Sequence, residues 1–221
     1  VDHSGVSNFQ LIQENAKIAS VFKNKSVAEQ NSIVLSWDRL MESRFAALRG
    51  YIYSDPDELK RFRQLMVNTV MATDIFDKEL QNLRKNRWDT AFRHISQQVD
   101  SSPEDDVNRK ATIVIEHLIQ ASDVAHTMQH WHIYQKWNER LFEEHCKASQ
   151  AGWQNASTSD WYSATLELLA EYALPLADRL KSAECLGPVA GNDYYKNALA
   201  NHKEWASHGE EIVSEYMKGK E

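Results

Sequence analysis

Carboxylates, imidazoles and one hydroxyl recur in this chain at spacings that suit metal-assisted chemistry. Asp2 and His3 stand in the opening Val1-Asp2-His3-Ser4-Gly5-Val6-Ser7-Asn8, Glu29 follows Ser26 by three residues, and Thr73 and Asp74 end Met71-Ala72-Thr73-Asp74. Asp123, His126 and His130 fall at i, i+3 and i+7. On a continuous helix those three share a face, and imidazole with carboxylate is a donor set for zinc. Each residue also has a purely structural reading. Asp123 on a helix can be a solvated or capping carboxylate, and His3 a surface residue. Ser26 and Glu29 have the spacing of a capping box. Thr73 can bond back to the preceding helical turn, and His130 with Trp131 can be packing.

The elements that must position these groups read as helices. Seven Gly and four Pro in 221 residues leave few turn signals, and no stretch alternates as a strand would. Ser54-Asp55-Pro56-Asp57 reads as an N-cap with proline in the first turn, opening a helix through Leu59, Phe62, Leu65, Met66 and Val70. Ser101 to Asp106 reads as a polar acidic loop before a long helix over about 108–147, with Ile113, Ile115, Leu118 and Ile119 among its apolar residues. Gln150 to Asp160 is the next loop and Trp161 to Leu180 the next helix. Leu186 to Gly191 breaks that helix ahead of a final one over about 191–217. The expectation is one all-α, bundle-like domain over 1–221.

Composition narrows the function classes. With 42% hydrophobic and 26% charged residues the chain can bury a sizeable core, and a net charge of −7 offers no footprint for nucleic acid or an anionic membrane surface. An anionic substrate would need a local positive charge, such as metal ions. Cys146 and Cys185 are too few for a disulfide framework and read as reduced thiols, which implies a cytoplasmic setting. No apolar run has the roughly 18 residues of a membrane span, so this segment makes no direct membrane contact, although a longer parent could carry an anchor.

The ordered set of motifs resembles the class I 3',5'-cyclic-nucleotide phosphodiesterases, in versions seen in algal and protist members. The resemblance runs from the opening octapeptide through Lys25-Ser26-Val27-Ala28-Glu29, Ala72-Thr73-Asp74, Asp123, and Tyr134 to Arg140 with Glu143 and Glu144, over about residues 1–180. It implies a compact multi-helix bundle of the HD/phosphodiesterase type, with an N-terminal part expected upstream of Val1. It also implies hydrolysis of cAMP, cGMP or both by two divalent ions, zinc at one position and magnesium or manganese at the other.

In that family two histidines and two aspartates hold the first ion, and an upstream histidine acts as acid. Asp123 matches one of these ligands, while the other three and the acid are expected before Val1. His3 matches the histidine near the bridging hydroxide, Glu29 and Thr73 match residues bonded to metal-bound waters, and Asp2 and Asp74 take supporting places. His126 stands where an asparagine near the purine is common, which assigns it to the nucleotide pocket and not to a metal. Aligned on Pro175, Thr165 and Leu168 occupy the places of a glutamine and a phenylalanine that clamp the base. The resemblance is compatible with a homodimer. The alternative is a non-catalytic nucleotide-binding or helical interaction module with a degenerate pocket.

Overall fold

Asp55 starts a helix by accepting hydrogen bonds from the backbone N–H groups of Asp57 and Glu58, both at 2.8 Å, with Pro56 supplying the preset first-turn φ. The sequence predicts that start, and the computed structural model contains it. Residues 7–93, 102–150 and 160–218 are described here. They are helical in every regular element, with no strand among them.

The chain divides into two compact units, Val1–Gln120 and Ala121–Glu221. In the first, α1 (Asn8–Glu14), α2 (Ala16–Val21) and α3 (Val27–Met41) pack together, and α4 (Ala46–Ile52) leads to α5 (Pro56–Ala72), which lies against α3. Next come α6 (Lys78–Trp88), a π turn (Asp89–Arg93), and α7 (Pro103–Asp123). The acidic stretch read as a loop is instead the first turn of α7. Ser102 Oγ accepts from the Asp105 N–H at 3.1 Å, and Glu104, Asp105 and Asp106 sit where the helix dipole favours negative charge.

The buried stripe of α7 in the first unit also departs from the predicted one. Ile115 and Ile119 are exposed, whereas Ile113, Glu116, His117 and Gln120 are buried. Glu116 tolerates this because Arg87 donates to both its oxygens, at 2.8 and 3.1 Å. Burial pushes the Glu116 carboxyl above its ordinary range, and Arg87 opposes that shift.

In the second unit a 3₁₀ turn (Ala125–Met128) precedes α8 (Trp131–Gln150), followed by α9 (Trp161–Glu167), α10 (Leu174–Ser182) and α11 (Gly187–Lys218). The 3₁₀ turn, α8, α9 and α10 all pack on α11. Between α9 and α10 a π segment (Leu168–Ala173) interrupts the predicted 161–180 helix just before Pro175. Proline lacks an N–H and its ring crowds the carbonyl four residues back, and the wider π turn is a way for the helix to continue past it. The final helix begins at Gly187, earlier than predicted. Gly187 takes φ +74°, and Pro188 is accepted in the first turn. The core gathers Tyr134, Phe142, Leu169, Ala173, Trp205, Ile212 and Val213. No helix among the described residues is long and apolar enough to cross a membrane.

Candidate active site

Asn8, the last residue of the opening motif, sits at the centre of a polar cluster in the first unit. Ser7 caps α1 by accepting from the Gln10 N–H at 3.3 Å, which fixes Asn8 as the first helical residue. The Asn8 amide nitrogen donates to Glu29 Oε2 at 2.9 Å and lies 3.5 Å from Asp74 Oδ2. Its amide oxygen accepts from the Ala28 N–H at 2.8 Å. Asp74 is 6% exposed, and its Oδ1 accepts from the Phe76 and Asp77 N–H groups at 3.1 and 3.2 Å.

The Ser26/Glu29 capping box does not form. Ser26 has a left-handed backbone (φ 41°, ψ 50°) and makes no side-chain cap bond, and its Oγ is buried without a hydrogen-bond partner. Asn8, from a different helix, caps α3 in its place. Thr73 does bond back as its structural reading requires, donating from Oγ1 to the Val70 carbonyl at 2.8 Å. With its proton so used, the hydroxyl presents acceptor lone pairs, which suits a water that must donate to it. The back-bond to Val70 thus leaves those lone pairs available. His3 and Asp2 lie outside the described residues.

In the second unit the chain turns sharply after Asp123. The predicted continuous helix over 108–147 is broken there: Val124 takes φ −109°, ψ 24°, and Gln129 is extended at φ −105°, ψ 175°. Asp123, His126 and His130 consequently do not lie along one helical face. His130 stacks on His132 with ring centroids 6.1 Å apart. Side-chain bonds hold the break: Thr127 Oγ1 donates to the Val124 carbonyl at 2.7 Å, Asn201 Nδ2 donates to the Thr127 and Gln129 carbonyls at 2.9 and 2.8 Å, and Asn197 Nδ2 donates to the Met128 carbonyl at 3.3 Å.

An open cavity of about 470 Å³ results, bordered by Asp123, His126, Gln129, Trp137, Arg140 and Glu144 among others. The Arg140 guanidinium lies 5.1 Å from the Trp137 ring centroid. Burial holds the His126 imidazole below its ordinary pKa, so it is neutral at pH 7 and can both donate and accept, as an asparagine amide does. Thr165 and Leu168 do not line this cavity. Thr165 is 6% exposed and stands four and eight residues before the buried Leu169 and Ala173, on the core stripe of its helix. Leu168 opens the π segment and is half-buried.

Asp123 and His126 are thus brought to one cavity, and Glu29 and Asp74 to one amide. Among the described residues no three metal-capable side chains converge to hold an ion. The described residues do not by themselves make a metal cage. Sequence reasoning missed Asn8 and Asn201. Asn8 closes the opening motif but carries no charge to suggest a role, and Asn201 carries no signal at all, its partners lying 72 and 74 residues away.

The sequence profile of the 3'5'-cyclic nucleotide phosphodiesterase family matches residues 1–159. The chain belongs to this family. The match ends short of the roughly 180 residues expected, leaving Thr165, Leu168 and Pro175 outside it. The probable 3',5'-cyclic-AMP phosphodiesterase pde-4 of Caenorhabditis elegans is 25% identical over 171 residues, covering 76% of this chain and 24% of that protein. The probable 3',5'-cyclic phosphodiesterase pde-1 of the same animal is 28% identical over 145 residues, covering 65% of this chain and 19% of that one. The chain therefore spans about a quarter or less of these relatives. The crystal structure of the phosphodiesterase domain of the RhoPDE fusion protein from the choanoflagellate Salpingoeca rosetta superimposes with a TM-score of 0.69. At 18% identity, covering 99% of this chain and 66% of that one, it shows that the all-α phosphodiesterase fold is shared.

Proposed function

We propose that this chain forms part of a catalytic domain that hydrolyses cAMP, cGMP or both to the 5'-monophosphate. Water adds to phosphorus, the P–O3' bond breaks, and O3' leaves with a proton. Two divalent ions, zinc with magnesium or manganese, would supply a water acidified toward neutrality and charge neutralisation on the phosphoryl oxygens. Such neutralisation has to be local, because the chain carries a net charge of −7. Asp123 is the residue here that would ligate an ion, and Glu29, Thr73 and His3 would orient water. His126, neutral and partly desolvated, would bond the purine edge, whereas Thr165 and Leu168 are assigned to the base by the family alignment on Pro175 alone, since neither lines the cavity that His126 borders. The observation that carries the reading is the turn after Asp123, which sets a carboxylate and a neutral imidazole on one open cavity within the stretch that matches the family.

The test uses the full-length protein, assayed for 5'-monophosphate release and for bound metal. Asp123→Ala should lower turnover by at least about a hundredfold and reduce metal content, on the scale of disturbed metal-ligand shells. Asp123→Asn should keep the fold. The 221-residue chain alone should show no turnover above background, because it carries one matched ligand of four. Activity and metal content that survive Asp123→Ala would remove the ligand assignment. Tight nucleotide binding without turnover by the full-length protein would favour the non-catalytic module.

A further inference from the structure

The Asn8 side chain uses both ends of one amide to join three elements. Its donor end reaches the Glu29 carboxylate at 2.9 Å and faces Asp74 at 3.5 Å, and its acceptor end takes the Ala28 N–H at 2.8 Å. Two carboxylates held near one another repel, and a neutral donor between them offsets that repulsion without adding charge. Asp74 cannot move freely to relieve it, since its other oxygen is engaged by the Phe76 and Asp77 N–H groups. Glu29 is half-buried and on the first turn of α3, the turn that Ser26 fails to cap.

We propose that Asn8 is a positioning residue that clamps the Glu29 carboxylate in one rotamer while capping α3, so that Glu29 presents its remaining lone pairs in a fixed direction. The role of Asn8 in turnover rests on the reading of Glu29 as a water-orienting group. The clamp itself does not.

The experiment uses Asn8→Asp, Glu29→Gln and the exchanged pair carrying both. An aspartate at position 8 keeps the oxygen that caps Ala28 but loses the donor and sets a third carboxylate against Glu29. A capping role alone therefore leaves Asn8→Asp as stable as the wild type, whereas the clamp makes its melting temperature fall. In the exchanged pair the glutamine at position 29 becomes the donor to the aspartate at position 8, and the melting temperature of the metal-free full-length protein should recover. In the active enzyme Asn8→Asp should lower kcat by about tenfold with a smaller change in KM, the scale of residues that orient metal-site groups. On the Glu29→Gln background it should cost little more. Asn8→Asp that melts like the wild type, or an exchanged pair that does not recover, overturns the clamp. Glu29→Gln with normal kcat instead overturns the water-orienting reading of Glu29, while the melting temperatures still decide the clamp.

Discussion

Replacing Asn201 with leucine should loosen the turn that carries His126. Asn201 is fully buried on α11, and its Nδ2 is the donor to two carbonyls of that turn, Thr127 at 2.9 Å and Gln129 at 2.8 Å. Thr127 is fully buried, so its carbonyl would be stranded, at a cost of about 1–3 kcal/mol. Gln129 is exposed, and water can replace the bond to its carbonyl, so that loss is nearer the ~1 kcal/mol of an ordinary hydrogen bond. Leucine also removes the Asn201 Oδ1, which is buried without a partner, and this returns about 1 kcal/mol. The sum is a destabilisation of about 2 kcal/mol, or a fall of about 4–8 °C in Tm for a chain of this size. Thermal unfolding followed by circular dichroism of the purified chain measures it. Asn201→Asp should fall further, because it loses the donor and aims a buried charge at two carbonyl oxygens. A leucine variant melting with the wild type, or an aspartate variant no worse than leucine, would refute the assignment of Asn201 as the fastening of this turn.

Other expectations follow from neighbouring features. In the active full-length enzyme, Thr165→Gln with Leu168→Phe should lower KM by about ten- to a hundredfold through restored amide bonding and stacking, with a smaller effect on kcat. An unchanged KM in a folded double variant places base recognition elsewhere. A Cβ at Gly209 would stand 2.8 Å from Tyr162 Cδ2 and 3.0 Å from Trp205 Cε2. Overpacking costs about 1–3 kcal/mol and the helix gains about 1 from losing glycine, so Gly209→Ala should destabilise by about 1 kcal/mol in urea unfolding. A stabilised variant would show that Tyr162 yields without cost. His126 has its folded-state pKa below the reference 6.5, so the unfolded state binds the proton more readily and this residue's contribution to stability falls as pH drops below 6.5. His126→Gln should therefore make the stability-versus-pH curve shallower on the acid side of 6.5, and an unaltered slope would contradict the burial of this imidazole.

Much of this protein is legible residue by residue, because helix starts depend on contacts within about four residues. Asp55 with Pro56 announces α5, and Ser102 with the acids that follow it announces α7 once the capping pattern is given precedence over loop composition. The order of the motifs from Val1 to Glu144 carries the family in the same local way, and the profile over residues 1–159 agrees. What the sequence leaves open is where one distant residue supplies what a local one would otherwise provide. Ser26 and Glu29 have capping-box spacing, yet α3 is capped by Asn8 twenty residues earlier. The apolar period through 108–147 continues across Asp123, yet the helix stops there because Thr127 and Asn201 take up the hydrogen bonds of the broken turn. Glu116, a carboxylate, is buried with Arg87, 29 residues away, paired to it. The sequence by itself determines the all-helical class, most helix starts and the family. The tertiary structure alone decides which polar groups are satisfied from afar, since an unmet buried donor or acceptor costs more than a local propensity of a few tenths of a kcal/mol can offset.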